Sequence, residues 1–206
     1  MKIDLALKKK LGRYWECTSY VWPYVREHFN SDEGKFIEFL ERLDSHDAQK
    51  CLYSLFFYWA QNPVREKSNE QRSPNFDVFV YLLTLSVIEF LMQSTKNPWD
   101  RIDKFFNKYL NKEEMNFLNK QIKARREGRI LKDKAAIRIL YDMRNDFIHN
   151  AQQFPLISPD GGEFASVKWV TTRYGGHEYL ADIRIKLDDY LDIFWRAYFR
   201  SFGLES

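Results

Sequence analysis

Arg144, Asn145 and His149 fall close together in the run ILYDMRNDFIHNA, residues 139–151. These are side chains that hold an anion, orient it and exchange a proton near neutral pH. On a helix, Ile137, Leu140, Tyr141, Ile148 and Ala151 form a core-facing stripe, and Arg144 falls inside that stripe. Beside it, Arg138, Asp142, Asn145 and His149 make a second stripe that is wholly polar. A guanidinium on an apolar stripe cannot shed its charge, so it needs a carboxylate partner or a water-filled groove. Glu89 is the one charged residue between Val78 and Met92, in a segment greasy enough to be buried. An isolated carboxylate there would cost several kcal/mol of desolvation, so it should be neutral or paired. We expect Glu89 to pair with Arg144 across two core helices, leaving Asn145 and His149 on the adjoining surface with Asp142 in support.

The elements that must position these residues read as helix after helix, with one break. Phe36, Ile37, Leu40 and Leu43 mark a helix over 33–44. Ser45 reads as the N-cap of another over 46–61, with Leu52, Leu55, Phe56 and Trp59. Residues 63–75 are polar and carry no periodicity, which makes them the best linker between an N-terminal helical extension, 1–62, and a second domain, 76–206. A helix over 76–94 is apolar almost all round, as the central member of a bundle would be. Asn97-Pro98 caps a helix near 98–110, and another near 112–127 is stopped by Gly128. Asp133 caps the helix that runs to about Asn150. Between Gly161 and Gly176 the pattern changes: FASVKWVTTRY and HEYLADIRI read as a β-hairpin over about 163–185. A last helix, 187–201, presents Leu191, Phe194, Trp195, Tyr198 and Phe199 as a bulky face, and Asp188, Asp189 and Asp192 suit the dipole at its start.

Residues 144–149 resemble the R-x(4–6)-H motif of the HEPN family, in which a polar residue, here Asn145, often follows the arginine. LTLSVIEFLMQ, residues 83–93, is similar to the family helix that carries an inward-facing acid, here Glu89. The likeness covers about residues 76–202. It departs from the toxin subgroup with R-x4-H-x-Y, because Ala151 stands where that subgroup has tyrosine. The resemblance implies a mainly α, all-α-class helical bundle with an inserted β-hairpin before the last helix. It implies a metal-independent endoribonuclease with no cofactor and no metal, acting as a homodimer whose two motifs face one cleft. A toxin or defence effector, partnered by an antitoxin or other protein regulator, is the biological setting it suggests. The chemistry of the residues agrees with that. An imidazole of pKa about 6.5 can take a proton from a ribose 2′-hydroxyl and return one to the leaving oxygen. A guanidinium fork neutralises charge growing on phosphoryl oxygens. His149 is then the acid/base, Arg144 the phosphate clamp and Asn145 the positioning group, with a 2′,3′-cyclic phosphate and a 5′-hydroxyl as products. The alternative is a catalytically inactive HEPN-like module that binds nucleotide, RNA or a protein partner. A helix end carrying Arg, Asn and His is also what an ordinary solvated, capped terminus looks like.

Residues 96–134 hold twelve Lys and Arg against six Asp and Glu. Lys120, Lys123, Arg125, Arg126 and Arg129 are the candidates for tracking a nucleic-acid backbone, against the plainer reading of a solvated helix. The other histidines offer little. His177 sits at a Gly-Gly hairpin tip without the second histidine of a zinc helix, and His28 and His46 lie near helix ends with no partner in spacing. There is no Gly-rich phosphate loop and no G-x-S-x-G.

Composition sets the outer limits. The chain has 206 residues, a net charge of +3, 45% hydrophobic and 17% aromatic content. That is ample for a core built largely from rings and excludes a disordered chain. Few Gly and Pro argue against a turn-rich all-β fold. Cys17 and Cys51 stand alone, without C-x-x-C, so neither a disulfide scaffold nor a cysteine zinc site is expected, and a reducing cytoplasm is the simplest setting. The greasiest stretch is too short to span a bilayer, so no membrane partner is expected.

Overall fold

A computed structural model describes residues 3–61, 74–132, 135–150, 156–158, 166–171 and 179–204, with side chains over 3–58, 60, 80–132, 135–145 and 179–204. The chain is mainly helical. Its helices are α1 (Leu5–Leu11), α2 (Cys17–Val25), α3 (Glu33–Arg42), α4 (Ser45–Gln61), α5 (Pro74–Leu91), α6 (Pro98–Tyr109), α7 (Lys112–Gln121), α8 (Ala136–Asn150) and α9 (Leu187–Ser201).

Local chemistry explains most of the boundaries. Asn97 Oδ1 accepts the Trp99 N–H at 2.9 Å and Pro98 fills the first helical position, as the sequence predicts. Asn111 and Glu114 form a reciprocal capping box at the start of α7. Before α4 the cap is Asp44, not Ser45: its Oδ1 accepts the Asp47 N–H at 2.7 Å. A carboxylate one residue earlier outcompetes the hydroxyl because it carries full charge against the helix dipole. At the start of α8 the Ala136 N–H donates to Asn119 Oδ1 of α7 at 2.8 Å. The expected cap at Asp133 lies outside the described residues, as do 63–73 of the expected linker, whose last two residues, Pro74 and Asn75, instead open α5.

One helix is shorter than its pattern suggests. Ile122 leaves the helical region, with φ −116 and ψ 116, and the chain continues as β1 (Ile122–Arg126) and β2 (Arg129–Ile130). Between them Glu127 and Gly128 both take positive φ, 50 and 77, the primed turn that matches strand twist and that glycine tolerates at no steric cost. Ile122 and Ala124 are buried while their neighbours are not, a period of two that overrides the good helix propensity of Lys, Arg and Gln.

The expected hairpin forms from β4 (Ser166–Thr171) and β5 (Tyr179–Ile183), which pair antiparallel. It belongs to a larger object. β3 (Leu156–Ser158) adds to β4 and β1 adds to β5, giving a five-stranded antiparallel sheet in the order β2-β1-β5-β4-β3. Ile122 stands opposite Ile183 and Ala124 opposite Ala181, so one face of the sheet is apolar there.

The chain divides into two compact units, residues 1–67 with 195–206, and residues 68–194. In the first, Phe29 meets Phe36, Phe39 and Phe199 with ring centroids 5.1, 5.5 and 5.2 Å apart. Beside them Ser54 Oγ and the Tyr198 hydroxyl lie 2.6 Å apart, and that hydroxyl donates to the Cys51 carbonyl. Burial pushes the Cys51 thiol up to about 12, which leaves it a packing group and not a nucleophile. Cys17 and Cys51 are both free thiols. In the second unit the Tyr81 hydroxyl donates to the Ile185 carbonyl at 3.0 Å, and Thr84 Oγ1 lies 2.7 Å from the Tyr190 hydroxyl. Among the described residues no helix is long and apolar enough to cross a membrane.

Phe199 packs against the rings of His28, Phe29, Phe39, Trp195 and Tyr198, so Phe199→Ala should lower stability by about 3–5 kcal/mol, read as a fall in the denaturation midpoint with the slope unchanged. A midpoint equal to wild type would mean that this ring cluster contributes nothing.

Candidate functional site

Helix α8 brings Arg144 and the Arg138–Asp142 pair to two separate places. On one side the Arg144 Nη2 donates to Glu89 Oε2 of α5 at 2.5 Å, the pairing the sequence predicts. The two side chains are 13% and 16% exposed. Arg144 Nη1 donates to Asn145 Oδ1 at 3.0 Å, so the ion pair also orients the amide beside it. Two buried atoms are left over: Arg144 Nε and Glu89 Oε1 have no hydrogen-bond partner among the described residues. Burial raises the Glu89 carboxyl above its ordinary range, and it outweighs the opposing pull of the Arg144 and Arg101 charges. Arg101, in α6, is held nearby by its own hydrogen bond to the Thr95 carbonyl.

On the other side lies a second buried pair. Asp142 is 1% exposed and accepts from Arg138 Nε at 2.9 Å and from the Tyr179 hydroxyl of β5 at 2.7 Å. The Arg138 guanidinium sits over the Trp99 ring of α6, 4.6 Å from its centroid, and 5.6 Å from that of Tyr141. Asp142 is therefore a strut between α8, β5 and Arg138, not part of an open polar surface beside Asn145. The helical wheel places Arg138 and Asp142 together correctly. It cannot show Trp99 and Tyr179, which come from distant parts of the chain. An aromatic near the start of α6 and a tyrosine at a buried strand position are the signals that a search for arginine and carboxylate partners would use.

His149 lies in α8 one turn beyond Asn145, and its side chain falls outside the described ones. The expected place of the His149 imidazole on the surface adjoining Arg144 is therefore outside them too, as is His177.

The basic candidates do not share one helix face. Lys120 is at the end of α7, Lys123, Arg125 and Arg126 are in β1, and Arg129 is in β2. Arg125 Nε donates to Asp182 Oδ2 of β5 at 2.9 Å, and Arg184 Nη2 donates to the same oxygen at 3.0 Å. Burial works to raise the Asp182 carboxyl, but the hydrogen bonds and charges of Arg184 and Arg125 win, and it stays below its ordinary range. The other histidines have neighbours that their spacing does not reveal. The His28 ring packs 5.3 Å from Phe199. His46 Nδ1 is 3.4 Å from Asp47 Oδ1, and with Asp44 these form an exposed group of potential ligands within 4.8 Å. There one Asp44 oxygen already serves as the α4 cap.

Compared with family models, with curated protein sequences and with solved structures, the chain finds no match.

The two carboxylates have opposite linkage to pH. Glu89 titrates above its ordinary 4.5 in the fold, so its contribution is complete below that pH and is lost as pH rises through the folded value. Glu89→Gln, which mimics the protonated acid, should remove that loss from denaturation midpoints measured between about pH 4 and 7. Asp182 titrates below its ordinary 3.8. Its contribution is present above that value and disappears as pH falls through the folded value, so Asp182→Asn should be destabilised near neutrality and lose the acid-side decline. Parallel pH profiles for the variants and wild type would contradict both assignments.

Proposed function

We propose that the protein is a metal-independent endoribonuclease of the HEPN type, cytoplasmic and acting as a homodimer in which two copies of the motif face one cleft. The observation that carries this reading is the buried Glu89–Arg144 pair with Asn145 hydrogen-bonded to it, one helical turn before His149. Glu89 fixes the position of a permanent positive charge, and that charge in turn fixes the amide. His149 takes the proton from a ribose 2′-hydroxyl, the 2′-oxygen attacks phosphorus, and the P–O5′ bond breaks. The 5′-oxygen receives a proton, leaving a 2′,3′-cyclic phosphate and a 5′-hydroxyl. Arg144 offsets the negative charge on the phosphoryl oxygens in the transition state, a contribution that grows in a site of low dielectric. No metal or cofactor enters the scheme. A toxin or defence effector held in check by a protein partner suits such an activity, on family likeness alone.

A second reading has an observation in its favour. Both Arg144 η-nitrogens are already engaged and its side chain is only 13% exposed, which suits a helix anchor in a catalytically silent module that binds nucleotide, RNA or a protein partner.

The two readings separate on one comparison. Wild type, Arg144→Ala and His149→Ala, each checked for folding by circular dichroism, are incubated with total RNA in EDTA. The nuclease reading expects cleavage by wild type, cyclic-phosphate ends, and a loss of about 100-fold or more in both variants. Intact RNA with all three, or equal cutting by all three, rejects it. A light-scattering mass of one chain rejects the shared cleft.

A further inference from the structure

The two faces of the sheet differ in kind. Side chains alternate along each strand, and directly opposed residues share a face. Ile122, Ala124, Tyr179, Ala181 and Ile183 are buried on one face. The other carries Lys123 opposite Asp182, Arg125 opposite Leu180, and Arg184 two positions past Asp182. It is partly exposed: the Arg184 side chain is 60% exposed and Arg125 29%, with Lys123 and Leu180 half-buried. Lys168 of β4 takes the next register position beyond Asp182. Asp182 itself is 4% exposed and is the one carboxylate among the described residues of this face. It binds both arginines, so two guanidiniums are held in place before any ligand arrives, and less rotamer entropy is lost on binding. Three cations against one anion leave the face positive. Spacing along a strand, about 6.6–6.8 Å for alternate residues, and between strands, about 4.7–4.9 Å, makes a lattice of cations on the scale of a nucleic-acid backbone repeat.

We propose that this outer sheet face, built on Lys123, Arg125 and Arg184 around Asp182, is the surface on which the chain binds the sugar–phosphate backbone of single-stranded RNA. RNA is chosen over other polyanions on the strength of the ribonuclease reading; the cationic lattice itself stands apart from it. Recognition is through charge and so tolerates any base sequence. Arg184 joins the surface although it lies far from the basic run in the sequence. Arg126 and Arg129, which oppose each other beside the turn, belong by alternation to the other face.

The test uses the full chain and a fluorescein-labelled 2′-O-methyl oligoribonucleotide, which cannot be cut by 2′-hydroxyl attack. Binding is measured by anisotropy over a range of salt for wild type, Lys123→Glu, Arg184→Ala and Lys112→Glu, an exposed lysine on α7 that controls for net charge. The expected result is about a tenfold loss for Lys123→Glu and Arg184→Ala, with the salt slope reduced by roughly 0.7 per contact removed, and wild-type behaviour for Lys112→Glu. Equal losses with Lys112→Glu would mean a diffuse field and overturn the assignment. Wild-type binding by Lys123→Glu and Arg184→Ala, or capture of polyglutamate in place of the oligonucleotide, would also overturn it. Cleavage of total RNA is scored separately, so binding without cutting rejects the nuclease and leaves the surface standing, while cutting with unaltered binding does the reverse.

Discussion

A charge that cannot be neutralised must find a partner before its helix can be buried, and that constraint organises the 68–194 unit. Arg144 and Arg138 both sit on α8, and each needs a carboxylate. Glu89 meets the first from α5. Asp142 meets the second from within α8 and is then tied to Tyr179 of β5. These contacts limit how α8 can rotate about its axis, because turning it would strand at least one ionised group away from its partner. Apolar packing alone would allow more than one rotation, and hydrophobic contact is indifferent to small slips. The raised carboxyl of Glu89 records the cost of this arrangement, since burial outweighs even an adjacent guanidinium.

β5 plays the complementary part in the sheet. It lies between β1 and β4, and its alternation separates two kinds of chemistry. Tyr179, Ala181 and Ile183 are buried, with the Tyr179 hydroxyl on Asp142. Asp182 points to the opposite face and gathers Arg125 and Arg184. A single-residue slip in register would exchange these faces and bury the cations, so the ion pairs on one side and the apolar residues on the other specify the same pairing.

The unit of residues 1–67 and 195–206 rests on rings instead of charges. Phe29, Phe36, Phe39 and Phe199 meet edge to face or tilted, arrangements that suit the quadrupoles of aromatic faces. Its buried polar contacts include a short hydroxyl pair, Ser54 with Tyr198, and its buried thiol is inert. The heavy aromatic content thus has a definite structural use.

By itself the sequence determined the helices from residue 33 onward from their apolar periodicity (apart from the end of α7), the cap at Asn97 with Pro98 behind it, the hairpin from its glycines and β-branched runs, and the need of Glu89 and Arg144 for one another. All of these follow from local spacing or from the cost of an isolated buried charge. Tertiary structure alone decided the rest. Ile122–Arg126 became a strand because β5 offered edge hydrogen bonds and a buried position for Ile122 and Ala124, which no helix propensity scale contains. Asp142 went inward because Tyr179 and Arg138 met it there. Phe199 found Phe29 and Arg184 found Asp182 beside Arg125 through contacts whose partners lie far apart along the chain, and the physical reason they were hidden is that a side chain's partner across a sheet or a core is set by the fold, not by its distance in sequence.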